Sequence, residues 1–183
     1  MMDRVDALKL VRSCISKETN VKHMIAVGAV MKEAAARLGD DPQKWEMVGI
    51  LHDVDFEICS GPSDHTIKAK DILREYVDGE IIEAIMAHNY ENNEVPVDTK
   101  LKKALIACDA VSGLIIACAL VMPSRKLAEI RPESLMKKYN SKDFARNVSR
   151  GRIAMCGDIG LSVEEFLHLS LEGMKKVSSE LGL

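Results

Sequence analysis

The chain is a succession of short apolar stripes at helical spacing, cut by Gly, Pro and Asp/Asn punctuation. Val5, Leu8, Leu10, Val11 and Ile15 predict a first helix over 3–16, closed by the polar run Ser16-Lys17-Glu18-Thr19-Asn20. Asn20 is the expected cap of a second helix to about Leu38, which Gly39-Asp40-Asp41 ends. Asp41-Pro42 opens a third through Trp45, Val48 and Leu51. Residues 55–63 contain Gly61-Pro62 and read as a loop. Asp64 is the expected cap of a helix to Tyr76, and Asp78-Gly79 precedes another from Glu80 to about His88. After a polar loop over 89–96, Asp98 or Thr99 starts a long apolar helix that Pro123 should stop. The remainder predicts helical pieces over 124–130, 132–139 and 142–156, then a last helix to about Leu181 opened by a Ser162/Glu165 capping box.

Such a pattern, with aromatics at only 4% of the residues, predicts an all-α protein and disfavours a sheet sandwich. At 183 residues one domain is expected. The segment 104–122 is nearly long enough to span a bilayer, but Asp109 inside it would cost about 2.5–3.5 kcal/mol on insertion scales. A buried core helix carrying one functional carboxylate is the better reading, so no membrane partner is expected. The opening MMDRVDALKLV places charges where a signal peptide needs an apolar run, and the five cysteines are scattered without a Cys-x-x-Cys pair. Both observations predict a cytoplasmic protein with reduced thiols. The net charge of -3 supplies no global positive field, which disfavours nucleic acid as a partner. The apolar helices leave a homo-oligomer open.

Helical spacing sorts the five histidines. His23 shares a stripe with Val27, Val30, Met31 and Ala34. His52 lies with Trp45 and Val48, His65 with Ala69 and Ile72, and His88 with Ile81 and Ile85. His168 falls among Glu164, Glu165 and Glu172 and serves as the negative control. Asp109 shares the buried stripe of Leu105, Ser112 and Ile116, and Asp53 follows the apolar run of the third helix. One inward histidine is more often a hydrogen-bonded core residue than a ligand. Four inward imidazoles and two inward carboxylates on separate helices satisfy one another best around a metal ion.

In chain order His23, His52-Asp53, His65, His88 and Asp109 resemble the H…HD…H…H…D signature of the HD-domain superfamily of metal-dependent phosphohydrolases. HDVDFE at 52–57, AHNYE at 87–91, CDAVSGLIIA at 108–117, MPSRKLAEI at 122–130 and the Ser162–Phe166 run are similar to the small stand-alone members, a likeness running from about 18 to 178. The resemblance implies a single helical-bundle HD domain over 1–183, with a core over about 18–122 and a C-terminal helical extension over about 123–183. It also implies that His23, His52, Asp53 and Asp109 bind one divalent ion. His65 and His88 match the extra positions of dinuclear members, with Asp53 bridging and His52 and Asp53 as the catalytic pair. Fe, Mn, Co, Ni, Zn and Mg all suit these ligands. The sequence reads HDVD where the better-known signature reads HDIG followed by Lys, so the role of Asp55 is open; Asp55, Glu57 and Asp64 are all carboxylates able to move protons. The implied activity is hydrolysis of a phosphomonoester or phosphodiester in a small, nucleotide-like phosphorylated molecule. A di-iron oxygenase and a non-catalytic metal or nucleotide sensor are the alternatives. Lys68, one turn beyond His65, and Arg125-Lys126 are the expected substrate-binding cations, with Lys137, Lys138, Arg146 and Arg150 as an outer layer.

Overall fold

A computed structural model describes residues 2–183, which contain helices and turns and no strand. The elements are α1 (Arg4–Cys14), α2 (Glu18–Leu38), α3 (Pro42–Leu51), α4 (Ile67–Leu73), α5 (Gly79–Ala87), α6 (Tyr90–Asn93) and α7 (Lys100–Leu120). They continue with α8 (Pro132–Asn140), α9 (Arg150–Ala154), α10 (Val163–Lys176) and α11 (Ser178–Leu181). The all-α expectation is met.

Two 21-residue helices, α2 and α7, form the centre. Both bury residues on nearly every side: Met24, Val27 and Met31 on α2, Leu105, Ile106 and Leu114 on α7. α2 packs most extensively against α3, and also against α7 and α10. The first contact is close because Gly28 and Gly49 meet backbone to backbone; a Cβ on Gly49 would lie 2.7 Å from Gly28 Cα. α7 is long and apolar enough to cross a membrane, yet 61% of its most apolar window is buried by its neighbours. Phe166, Leu167, Leu171 and Met174 of α10 join the same core as α2 and α7.

The capping chemistry departs from the expected pattern in instructive ways. α2 starts at Glu18, so Asn20 lies inside its first turn instead of capping it. Its start is held from a distance by Glu57, whose carboxylate accepts from Ser16 N, Ser16 Oγ, Lys17 N and Asn20 Nδ2. These bonds hold the Glu57 carboxyl down at about 2. A group depressed in the folded state stabilises fully above its unfolded value near 4.5 and loses that contribution as pH falls toward 2. Glu57→Gln is therefore expected to lower the thermal midpoint by a few degrees at pH 7, with the difference from wild type shrinking between pH 5 and 2 in a calorimetric series.

Asp64 likewise caps no long helix. It accepts from Ser60 N and Gly61 N in the preceding turn, and α4 begins only at Ile67. The expected helix over 142–156 shrinks to α9, because the Arg150 guanidinium claims the carbonyls of Lys138, Tyr139, Ser141, Phe144, Ala145 and Val148. Backbone acceptors used this way leave a turn-rich 141–149 segment. The expected helix over 124–130 is only a 3-10 turn over Leu127–Glu129, interrupted upstream by Arg125 in the left-handed region at φ 54°. The polar 89–96 loop contains the short α6, and the last helix breaks at Val177. Ser162 does cap α10, accepting from Glu165 N, but the Glu165 carboxylate pairs with Arg37 instead of completing the box.

Candidate metal centre

His23 projects from the first half of α2, His52 caps the C-terminus of α3 and Asp53 follows it. His65 precedes α4, His88 caps α5 and Asp109 sits mid-α7. The structure brings all six together. Asp53 is the hub: its Oδ1 lies 3.3 Å from both His65 Nε2 and His88 Nε2. Its Oδ2 lies 3.3 Å from His52 Nε2 and 3.7 Å from His23 Nε2. Asp109 Oδ1 closes the other side, 3.1 Å from His23 Nε2 and 3.9 Å from His52 Nε2. His65 Nε2 and His88 Nε2 face each other at 3.0 Å. His168 is exposed on α10, as its polar neighbours predicted.

The other nitrogen of each ring explains why these edges converge. His52 Nδ1 donates to Gly49 O (2.8 Å), and His88 Nδ1 donates to Ile85 O. Ser112 Oγ gives its proton to Asp109 O at 2.8 Å and so accepts from His23 Nδ1 at 3.3 Å. His65 Nδ1 donates to Asp55 Oδ1 at 2.9 Å. With every Nδ1 held by an acceptor, every Nε2 faces the centre, and in the neutral rings that a metal ion requires it is Nε2 that offers a lone pair.

Two observations test this set for a cation. His52 is fully buried, and among the described residues its Nε2 makes no well-aligned hydrogen bond, Asp53 Oδ2 at 3.3 Å being its near neighbour. Such an atom is costly unless something outside the protein satisfies it. The donors are imidazole nitrogens and carboxylate oxygens, with spacings near the roughly 3 Å that separates neighbouring ligands around an ion bonded at about 2 Å. The electrostatics agree. Burial disfavours a charged His52, but Asp53 and Asp109 outweigh it and push the imidazole up to about 9. His65 reaches about 9 in the same way beside Asp53 and Asp55. Asp53 and Asp109, despite burial, are held below the usual carboxylate range by the surrounding imidazoles. Two carboxylates that draw protons onto buried imidazoles form a field that a cation also fits. His23, His52 and Asp109 form one compact donor group, and His52, Asp53 and His88 another. A third, Asp55, Cys59 and His65, is less suited: burial and the Asp55 charge push the Cys59 thiol up to about 12, and it donates to Asp55 O.

Asp55 acquires a definite structural role. It is fully buried, orients His65 through Oδ1 and accepts from Thr66 N (2.7 Å) and Ala69 N (2.9 Å) through Oδ2. It thus caps α4 from outside, and Thr66 adopts φ 73°, an uncommon conformation for a β-branched residue, beside His65 of the cluster. Asp55, Glu57 and Asp64 are all committed to backbone donors, so none is a free proton carrier. Asp55→Asn turns an amide N–H toward a donor whichever way it is flipped. It is expected to weaken metal binding about 10- to 100-fold in a chelator competition and to lower stability by about 1–3 kcal/mol in urea unfolding.

The expected substrate cations are not at the cluster. Lys68 Nζ turns to Ile58 O (2.6 Å) and Asp64 (2.9 Å), because the delayed start of α4 places that turn beside it. Arg125 and Lys126 are exposed in the turn after α7, whose C-terminal end lies roughly 16 Å along the helix axis from Asp109 at 1.5 Å per residue. Lys138 stacks over Phe144, and Arg150 is consumed by carbonyls. The cation that does reach the cluster is Arg152 of α9, which donates to His88 O at 3.2 Å and lies 3.7 Å from Asp109 Oδ2. No sequence pattern singled it out, since it is one of several basic residues in a stretch whose only regular element is the five-residue α9.

Fold and site together define an all-helical protein with a histidine–aspartate cluster able to hold a divalent metal ion. The HD domain family model matches residues 20–114, just over half of the chain. The chain belongs to the HD-domain family, within a superfamily of metal-dependent phosphohydrolases. Two proteins named Ribonuclease Y, from Nitratidesulfovibrio vulgaris strains DP4 and Hildenborough, are 36% identical over 117 residues. That alignment covers 61% of this chain and 21% of each relative, so the chain spans about a fifth of their length. No solved structure matches it at a comparable level of significance.

Proposed function

We propose that this protein is a metal-dependent phosphohydrolase acting on a small phosphorylated molecule, with His23, His52, Asp53 and Asp109 around one divalent ion and His65 and His88 joining Asp53 around a second. The observation that carries the reading is the convergence of four Nε2 atoms on two carboxylates, with His52 Nε2 buried and, among the described residues, without a well-aligned hydrogen bond. Divalent ions bound there would acidify a water and neutralise charge on phosphoryl oxygens. The protein's own part is orientation. Gly49 O, Ile85 O, Ser112 Oγ and Asp55 fix the four rings, and Asp53 stands between the two donor groups with one oxygen toward each.

The test is to reconstitute stripped protein with Mn, Fe, Co, Ni, Zn or Mg and assay p-nitrophenyl phosphate, its bis-ester and a short RNA. Metal-dependent release of nitrophenol supports the proposal. Hydrolysis by metal-free protein, or iron-dependent oxygen consumption with no phosphoester turnover, overturns it. The RNA arm is included because the Ribonuclease Y relatives make an RNA phosphodiester the second substrate class.

A further inference from the structure

We infer that Arg152 is a substrate-binding residue, gripping the phosphoryl oxygens that face away from the metal ligands, with the ring of Tyr90 backing its guanidinium. The inference rests on the phosphohydrolase reading and names a residue outside both the ligand set and the segment that matches the family.

Arg152 reaches from α9 to the end of α5, where one N–H bonds His88 O, and its other terminal nitrogen stands beside Asp109. It therefore touches a residue on each side of the cluster. Its Cζ lies over the Tyr90 ring at 5.5 Å from the centroid, a cation–π contact that holds a guanidinium without using its donors. Among the described residues only one of its five N–H groups makes a hydrogen bond; Glu91 at 3.6 Å and Asp109 at 3.7 Å lie beyond that range. The side chain is 22% exposed, which leaves those donors reachable. Its neighbour Arg150 provides the contrast: every one of its terminal nitrogens is spent on backbone carbonyls. Arg152 is thus a preoriented cation with spare donors at the mouth of an anionic metal cluster. A tetrahedral phosphoryl group can give two oxygens to such a fork while its remaining oxygen faces the cluster.

Inorganic phosphate is the probe, titrated calorimetrically into metal-loaded wild type, Arg152→Ala, Arg152→Lys and, as a control away from the cluster, Lys68→Ala. Arg152→Ala should weaken phosphate binding about 10- to 100-fold, with metal content unchanged. Lysine should restore only part, and Lys68→Ala should match wild type. With p-nitrophenyl phosphate the same loss should appear chiefly in KM, and added guanidinium ion should recover part of it in Arg152→Ala. Phosphate affinity unchanged in Arg152→Ala overturns the inference, as does loss of bound metal in that variant, or a wild type that binds no phosphate. Should the alanine variant fail to fold, Arg152→Gln and Arg152→Lys carry the same comparison. Arg152-dependent phosphate binding without hydrolysis of any phosphoester sinks the proposed function and keeps this inference. Hydrolysis with KM and phosphate affinity indifferent to Arg152 does the reverse.

Discussion

Asp53→Ala should leave a folded protein that retains little metal and loses at least about 10³-fold in kcat/KM, because no other residue touches all four imidazoles. Its two oxygens lie 3.3–3.7 Å from four Nε2 atoms, whereas Asp109 approaches only His23 and His52. Loss of a partner that merely orients a ligand costs about 10- to 100-fold, so removing the shared carboxylate should cost more. Metal analysis after gel filtration and steady-state kinetics check the outcome, with His168→Ala as the variant expected to match wild type. A second readout needs no metal. Asp53 is a principal cause of the upward shift of His52 and His65 to about 9. In metal-free Asp53→Asn both imidazoles should therefore titrate lower by NMR. Unchanged titration would mean that Asp53 does not supply the field that suits the site to a cation.

The meeting of His23, His52, His88 and Asp109 was legible because helical periodicity is a strong signal and each sits on or at the end of an apolar stripe, whereas Asp53 and His65 were placed by the ordered H…HD…H…H…D pattern, His65 lying ahead of the helix its spacing presumed. The same test placed His168 outside, and the structure agrees. What sequence reasoning missed is long-range capping. Nothing local tells that Glu57 closes the start of α2 from 40 residues away, or that Asp55 caps α4 and so strips Asp64 of that role. Misplacing the start of α4 is what put Lys68 at the site on paper. A one-turn argument from His65 presumes a continuous helix, and the left-handed Thr66 breaks it. A second reason concerns the arginines: Arg150 and Arg152 share the short helix α9 in a basic stretch, and nothing in their spacing tells which one turns to backbone carbonyls and which to the cluster.

Gly49→Ala is the other substitution expected to act strongly, although Gly49 is neither charged nor a ligand. A Cβ there would meet Gly28 Cα and Gly28 N at 2.7 Å and Val27 C at 2.9 Å, all of them backbone atoms that no rotamer change can move. The two helices must separate, and they are the ones that carry His23 and His52. Gly49 O is also the acceptor that fixes His52 Nδ1, so the same displacement loosens the buried imidazole. Overpacking costs about 1–3 kcal/mol and occasionally more. Backbone against backbone belongs at the upper end, so a loss of about 3 kcal/mol is expected in urea unfolding, with weakened metal retention in the fraction that folds. Two further glycines grade the claim. Gly28→Ala would press first on Ile50 Cγ1, a side-chain atom that can turn aside, with Glu46 O behind it at 3.1 Å, and should cost less. Gly113→Ala on α7 meets only Val148 Cγ2 at an ordinary 3.5 Å and should be tolerated. If Gly49→Ala proves as mild as Gly113→Ala, the close α2–α3 crossing is not what sets the spacing of His23 and His52.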